Sequence, residues 1–166
     1  MESRASAAVA GQNGFMTTFD AEKITKGNWK TIPFLERTGI VVDHAERGFV
    51  RLRMPFEPNV NHVGMMYAGA LFTLAEVPGG TIFLTTFDTT KYYPIVKDLQ
   101  IRFRRPAMTD ITVEVRIDDD EVARITAEAE ANGKADYAWE CELVDATGEV
   151  VAISRNTYQM RAFDLG

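Results

Sequence analysis

The sequence has few of the residues on which disulfides, metal sites and nucleotide folds depend. It contains one cysteine and two histidines, and neither His44 nor His62 stands at a metal-ligand spacing from the other or from Cys141. It contains no G-x-G-x-x-G motif, no P-loop and no G-x-S-x-G elbow. These absences exclude an intrachain disulfide and predict no metal, no nucleotide cofactor and no serine-hydrolase triad. A single cysteine is also typical of a reducing, cytoplasmic compartment.

Positive charge is scarce as well. The chain has 18 basic and 24 acidic residues, a formal net charge of −6, and neutralising phosphates needs a basic surface. We therefore expect no nucleic-acid partner. The first residues also lack the continuous apolar stretch of a secretory signal. We expect residues 1–19 to form a mobile tail and residues 20–166 to form a single domain.

The most apolar segment has no basic residue, since no Lys or Arg occurs between Arg53 and Lys91. Residues 67–87 are apolar on every side, which predicts a helix buried all round, kinked at Pro78 because proline cannot donate a backbone hydrogen bond. Residues 63–84 are nearly long enough to cross a bilayer. The central Glu76, the proline and several glycines disfavour that interpretation, so we expect no membrane.

The rest of the chain alternates apolar and polar residues as half-buried strands do. Strands are predicted at residues 40–44, 49–54, 99–103, 111–117, 137–143 and 150–160. One or two short helices are predicted between residues 20 and 37, and an amphipathic surface helix at residues 119–132. The pattern predicts an α+β fold in which an antiparallel sheet of about six strands wraps around the apolar helix.

Glu76 is the anomaly in this pattern, because a buried carboxylate must find a partner, bind a proton or open onto a pocket. The side chains one helical turn away are uncharged: Phe72, Thr73, Gly79 and Gly80. Two interpretations are open. Glu76 is either a structural acid paired with Arg102, Arg104 or Arg155, or a general base or nucleophile in an apolar cleft.

Two glycines near the start of the helix favour a reactive site. Gly64 and Gly69 leave room where unpaired backbone N–H groups and the helix dipole stabilise negative charge on an oxygen. A carboxylate about two turns further along, at Glu76, is placed to face a carbonyl group bound there.

The segment from Asn61 to Glu76 reads N-x-x-G-x-x-Y-A-G-A-L-F-T-L-A-E. It resembles the helix-start motif of hotdog-fold acyl-CoA thioesterases, which in the phenylacetate-type branch reads N-x-x-G-x-x-H-G-G-x-L-F-x-L-A-D. Residues 103–107, FRRPA, match the F-x-R/K-P-A motif of the same family. The resemblance covers about residues 34–160, and the helix before residue 137 is similar to the domain-of-unknown-function 4442 and YiiD C-terminal types. It implies a hotdog fold.

The resemblance also implies roles for individual residues. Glu76 falls on the catalytic carboxylate, and Asn61 falls on the asparagine that orients the attacking water or acid. Ala68 and Gly69 fall where a backbone N–H polarises the thioester carbonyl. The implied substrate-binding residues are His62, Gly64, Met65, Met66, Tyr67, Arg104 and Arg105.

Alternative roles remain open for several of these residues. Met65, Met66 and Tyr67 line an acyl channel or pack in the core. Four basic residues are candidates to bind the phosphates of CoA, with surface solubility as their alternative role: Lys97, Arg104, Arg105 and Lys134.

The sequence departs from the family motif at three positions. Tyr67 replaces the frequent histidine and Ala68 replaces the first glycine of the pair, although alanine still has an N–H to donate. Gly80 stands where one branch has a threonine that assists hydrolysis.

The implied activity is hydrolysis of acyl-CoA thioesters to a free acid and CoA, without a cofactor other than the CoA of the substrate. The pocket would lie between subunits of a homodimer or homotetramer. The alternatives are a non-catalytic acyl- or lipid-binding hotdog protein and a hotdog dehydratase, which would need a histidine at position 67.

Overall fold

Residues 19–28 and 31–163 are described in the computed structural model of the chain. The strands within them are β1 (Val41–Glu46), β2 (Phe49–Met54), β3 (Tyr92–Phe103), β4 (Ile111–Arg116), β5 (Lys134–Asp145) and β6 (Val150–Ala162). The helices are α1 (Ala21–Asn28), α2 (Pro33–Thr38), α3 (Ala68–Glu76), α4 (Pro78–Thr86) and α5 (Asp119–Asn132). The predicted mobile tail lies outside the described residues except for Phe19, whose N–H donates to the carbonyl of Ala45 at 3.0 Å.

The strands form one antiparallel sheet in the order β1-β2-β4-β5-β6-β3. Alternation fixes which face is covered: in β4, Ile111, Val113 and Val115 are buried, while Glu114 and Arg116 are exposed. The helices α3 and α4 pack against the covered face, and most of the core lies between them and the sheet. The prediction of an α+β fold with about six strands around a central helix is confirmed.

The central helix bends where the sequence predicts. Val77 keeps helical backbone angles (φ −57°, ψ −32°) between α3 and α4, and Pro78 begins α4, because proline has no N–H to donate to the carbonyl four residues earlier. Residues Ala68–Thr86 are long and apolar enough to cross a bilayer, but 67% of this stretch is buried inside the fold. It is the core helix of the sheet.

One face of the central helix is not covered, so the prediction of burial on every side is wrong there. Residues four apart lie above one another on a helix, and this face carries Ala68, Phe72, Glu76, Gly80 and Leu84. Phe72 is 44% exposed and Leu84 is 37% exposed. We call these five residues the open stripe.

The ends of several elements differ from the sequence prediction. β3 extends back to Tyr92, because a bulge between Val96 and Asp98 interrupts the alternation by which strands are recognised. β1 occupies Val41–Glu46 rather than residues 40–44. α2 runs from Pro33 to Thr38, and Gly39 caps its end with a φ of +69°. Trp29, assigned to this helical region from the sequence, lies outside the described residues.

The helix α5 covers the part of the sheet that α3 and α4 leave open. Asp118 caps its start by accepting the N–H of Glu121 at 2.8 Å. Its apolar stripe of Val122, Ile125 and Ala129 is buried, and it forms a second core with the inner side chains of β5 and β6. The predicted surface helix is therefore confirmed.

Candidate functional site

The loop before α3 is organised around Asn61. Its Oδ1 accepts hydrogen bonds from the N–H groups of Val63 (2.9 Å) and Met65 (3.1 Å). Its own N–H donates to the carbonyl of Met65 at 2.7 Å, and Gly64 completes the turn with a φ of +81°. The Oδ1 of Asn61 therefore shapes the loop. Only its Nδ2 has no hydrogen-bond partner among the described residues, and this is the atom left for the predicted orienting role.

The first two N–H groups of α3 are unpaired. Those of Ala70 and Leu71 donate to the carbonyl of Tyr67 at 2.9 and 3.2 Å, and that of Tyr67 donates to the carbonyl of Asn59 at 2.7 Å. The N–H groups of Ala68 and Gly69 have no acceptor within the described ranges 19–28 and 31–163. Tyr67 provides no side-chain cap. The helix therefore presents two free donors at the positive end of its dipole.

A cavity of about 360 Å³ lies beside these donors. It is lined by Asn61, Met65, Met66, Ala68, Leu71, Phe103, Arg104, Arg105, Pro106 and Ala107. The fold thus brings six of the predicted site residues together. Phe103, Pro106, Ala107 and Leu71 were not predicted as lining, although the FRRPA motif was the signal for the first three. The segment 103–107 lies beside the loop before α3 because the N–H of Met66 donates to the carbonyl of Ala107 at 2.9 Å.

The other predicted binding residues do not line this cavity. His62, Gly64 and Tyr67 are exposed in the loop, and the ring of Tyr67 folds over Gly69, where an added Cβ would lie 2.3 Å from the ring atom Cε1. The alternative core role is confirmed for Met66, which is 3% exposed. Lys97 donates to the carboxylate of Asp136 at 2.5 Å, so it is engaged elsewhere on the sheet.

Glu76 stands in the last turn of α3, in the middle of the open stripe. Its side chain is partly buried, and burial raises the pKa of its carboxyl group. No ion pair or hydrogen bond reaches the carboxylate from any residue that the structure describes. Arg155 instead pairs with Glu140 at 2.6 Å. The structural-acid interpretation, with an arginine partner from the same chain, is therefore wrong.

The surroundings of Glu76 are apolar and open. Phe72 lies one turn before it and Leu84 two turns after it, both partly exposed. A Cβ built on Gly80 would meet no atom within 4 Å, so there is free space beside the carboxylate. A desolvated, unpaired carboxylate next to free space is placed to accept a proton.

Glu76 and the free N–H groups lie at different turns of the same helix. Eight residues separate Ala68 from Glu76, which is about 12 Å along a helix. A reacting group must come within about 3–3.5 Å of its target. The sequence expectation that Glu76 faces a carbonyl bound at the start of its own helix therefore stays a prediction, and this spacing favours a carboxylate supplied by another chain. Among the described residues there is also no cluster of three His, Cys, Asp or Glu side chains that could hold a metal ion.

Comparisons with known proteins agree with this fold. A family model described as "Domain of unknown function (DUF4442)" matches residues 21–160, and no curated protein matches the chain. The solved structure of PA5026 from Pseudomonas aeruginosa, described as a protein of unknown function and probable thioesterase, is 50% identical with a TM-score of 0.80, covering 86% of this chain and 94% of that one.

More distant structures share the fold. OLEI01261 from Chlorobaculum tepidum, of unknown function, is 17% identical with a TM-score of 0.74, covering 85% of this chain and 93% of that one. The PaaI protein from the phenylacetic acid degradation operon of E. coli is 16% identical with a TM-score of 0.61, covering 86% and 93% respectively.

Proposed function

We propose that this chain, which belongs to the DUF4442 family and has the hotdog fold of the thioesterase superfamily, hydrolyses acyl-CoA thioesters to a free acid and CoA. One observation carries the proposal. The central helix begins with two N–H groups that find no acceptor among the described residues, beside a cavity. The same helix presents on its open stripe a desolvated carboxylate that no described residue pairs with. The first feature binds a developing oxyanion, and the second accepts a proton.

The reaction proceeds by attack of water on the thioester carbon. The N–H groups of Ala68 and Gly69 donate to the thioester oxygen, and Glu76 accepts the proton of the attacking water. The negative charge that develops on the oxygen is held by the two N–H groups until the carbon–sulfur bond breaks and CoA leaves as its thiolate. If Glu76 instead attacks the carbon directly, a mixed anhydride forms and water then hydrolyses it. If water attacks the Glu76 carbonyl carbon of that anhydride, a single turnover in ¹⁸O-labelled water leaves ¹⁸O in the Glu76 carboxylate. Mass spectrometry of the chain detects this label, which direct attack of water on the thioester cannot produce.

A second copy of the chain completes the site. Within one helix the free N–H groups and Glu76 are about 12 Å apart along the axis. A carboxylate from the helix of a partner subunit can lie closer to these N–H groups. The surface around the open stripe fits such a partner, because it is apolar and uncovered. β3 is also an edge strand of the sheet, and its inward-facing Val96 and Phe103 are 42% and 48% exposed. Long, exposed edge strands are typical sites of pairing between chains.

The oligomeric state tests this arrangement. We expect light scattering coupled to size-exclusion chromatography to give at least twice the monomer mass of 18.6 kDa at micromolar concentration, as a dimer or a dimer of dimers. A monomer that hydrolyses thioesters at the same concentration would contradict the shared site.

The arginines at the cavity are proposed to bind the phosphates of CoA. Arg105 lies 3.5 Å from the carboxylate of Glu149, whereas Arg104 has no ion pair within the part of the chain that the structure describes. The N–H of Arg104 donates to the carbonyl of Val151 at 2.7 Å, which holds its backbone beside the cavity. Arg104 is therefore the more available of the two guanidinium groups.

Replacing Arg104 with Ala is expected to raise KM for an acyl-CoA roughly tenfold with little change in kcat, because a hydrogen bond to a charged group contributes about 1.5–3 kcal/mol. Steady-state kinetics with an acyl-N-acetylcysteamine thioester, which has no phosphates, should show no change in KM. Arg161→Ala, at the opposite end of β6, is the matched control. An equal rise in KM with both thioesters would show that Arg104 does not bind the phosphates of CoA.

A screen tests the proposed function itself. Purified protein is incubated with a panel of acyl-CoAs that differ in chain length and polarity, and the released thiol is measured. Hydrolysis above the uncatalysed rate supports the proposal. The proposed compartment is the cytoplasm, where the free thiol of the buried Cys141 remains reduced.

Binding without turnover is the second candidate function, and Gly80 is the observation that favours it. Gly80 leaves the space beside Glu76 without a hydroxyl group. A protein that binds acyl-CoA by calorimetry but hydrolyses none of the panel would be a binding module.

A further inference from the structure

Two side chains from β6 hold the end of α3. The Nδ2 of Asn156 donates to the carbonyl of Ala75 at 2.7 Å, and the Oη of Tyr158 donates to the carbonyl of Glu76 at 2.8 Å. The Nδ2 of Asn156 also donates to the Oη of Tyr158 at 3.1 Å. Asn156 and Tyr158 are 2% and 1% exposed, so these hydrogen bonds form away from solvent.

These bonds lie at the kink of the central helix. The carbonyls near the end of a helical segment lack the regular intrahelical donors, and Pro78 has no N–H to donate to the carbonyl of Leu74, just before Ala75. Asn156 and Tyr158 occupy alternate positions of β6, so both side chains face the helix. Together they supply donors that the helix itself lacks at the residue that carries the reactive carboxylate.

The ring of Tyr158 is fixed on three sides. It stacks against the ring of Tyr137 with centroids 5.5 Å apart, and the ring of Trp139 lies 4.7 Å away. On the helix side it lies against Gly79, where an added Cβ would be 1.9 Å from the ring atom Cε1. The hydroxyl group therefore has one position, and only glycine fits opposite the ring.

We propose that Tyr158 and Asn156 are positioning residues, which fix the backbone at Glu76 and so aim its carboxylate. This inference rests on the proposed function of Glu76. Burial, followed by the nearby charge of Glu76, raises the pKa of Tyr158. The hydroxyl group therefore stays protonated and able to donate throughout the neutral range.

The test compares two buried tyrosines. Tyr158→Phe keeps the ring and removes the donor to Glu76, whereas Tyr137→Phe removes a buried hydroxyl that has no hydrogen-bond partner among the described residues. We expect Tyr158→Phe to lower kcat roughly tenfold with KM unchanged, because small displacements of a reacting group are costly. We expect Tyr137→Phe to leave both constants unchanged.

A double mutant separates positioning from a structural role. If Tyr158 acts through Glu76, adding Tyr158→Phe to Glu76→Gln causes no further loss of the residual activity. An equal loss in both backgrounds, or the same kcat for both tyrosine variants, would overturn the inference. Asn156→Leu is the second variant, with the same expected loss of kcat, and it replaces Tyr158→Phe if that variant does not fold.

Hydrogen exchange gives a readout that does not depend on activity. Tyr158→Phe, and not Tyr137→Phe, is expected to speed exchange of the backbone amides of residues 77 and 79–81 relative to those of residues 82–86. If the unmodified protein hydrolyses no thioester, the proposed function fails. The change in amide exchange caused by Tyr158→Phe then still tests whether β6 holds the backbone at the end of α3. Unchanged exchange would overturn the inference whether or not the protein is active.

Discussion

Replacing Glu76 with Gln is expected to lower kcat for acyl-CoA hydrolysis by at least roughly a hundredfold, the scale of general-base contributions. The amide has nearly the shape of the carboxylate but accepts no proton from water. Because burial raises the pKa of Glu76, kcat/KM of the unmodified protein should increase with pH, with a midpoint above the ordinary glutamate value of about 4.3. Glu130→Gln, on the exposed face of α5, is the control and should retain full activity.

The same substitution is expected to stabilise the fold at neutral pH. A carboxyl group whose pKa is raised by folding contributes stability below its unfolded pKa and loses it as pH rises through the folded pKa. At pH 7 the native Glu76 is a desolvated charge without a partner, whereas Gln is neutral. Glu76→Gln should therefore raise Tm at pH 7, and the difference should shrink as pH falls through the folded pKa and vanish below the unfolded value of about 4.3. If Glu76→Gln left the reaction rate unchanged, Glu76 would be excluded from catalysis. If it lowered Tm at pH 7, the charge of Glu76 would have a stabilising partner in the folded protein.

Replacing Ala68 with Pro is expected to lower kcat by about 10²–10³-fold, the effect of removing one oxyanion donor. Proline is tolerated at the first position of a helix, where its missing N–H is unpaired in any case. Ala68 is that position in α3, and the preceding Tyr67 has an extended backbone (φ −63°, ψ 133°) that suits a following proline. The substitution thus deletes one donor and leaves the helix in place, which circular dichroism and Tm would verify.

The matched control for this experiment is Ala68→Gly. It keeps the N–H, so kcat should stay within a few-fold of the unmodified protein. If Ala68→Pro retained full activity while folded, the N–H of Ala68 would not bind the thioester oxygen, and Gly69 would be the remaining donor.

Mixing the two inactive variants tests whether the site is shared. In a dimer of one Glu76→Gln subunit and one Ala68→Pro subunit, one of the two sites combines an intact N–H with an intact carboxylate from the other chain. After random exchange of subunits about a quarter of the sites should be active. Absence of recovery, with exchange shown by native mass spectrometry, would place both groups of a site in the same chain.

The local elements were predictable because each depends on neighbouring residues in sequence. The alternation in β4 and the apolar stripe of α5 produce the strand and the helix that these patterns predict. The start of β3 was missed because a bulge after Val96 breaks the alternation. The kink at Pro78 was predictable, since it follows from a missing N–H group.

The sequence by itself determined that one acid without a charged neighbour on its own helix would stand in the most apolar segment, and that this helix would begin at about residue 67. Only the tertiary structure decided that the acid has no arginine partner, since Arg155 lies against Glu140 on the sheet. It also decided that Asn156 and Tyr158 would reach the carbonyls at the kink. Sequence periodicity predicts which side chains share a face, whereas the distance between two faces depends on how the sheet and the helix pack. For that reason a helix predicted to be buried on every side has an open stripe, on which Glu76 stands.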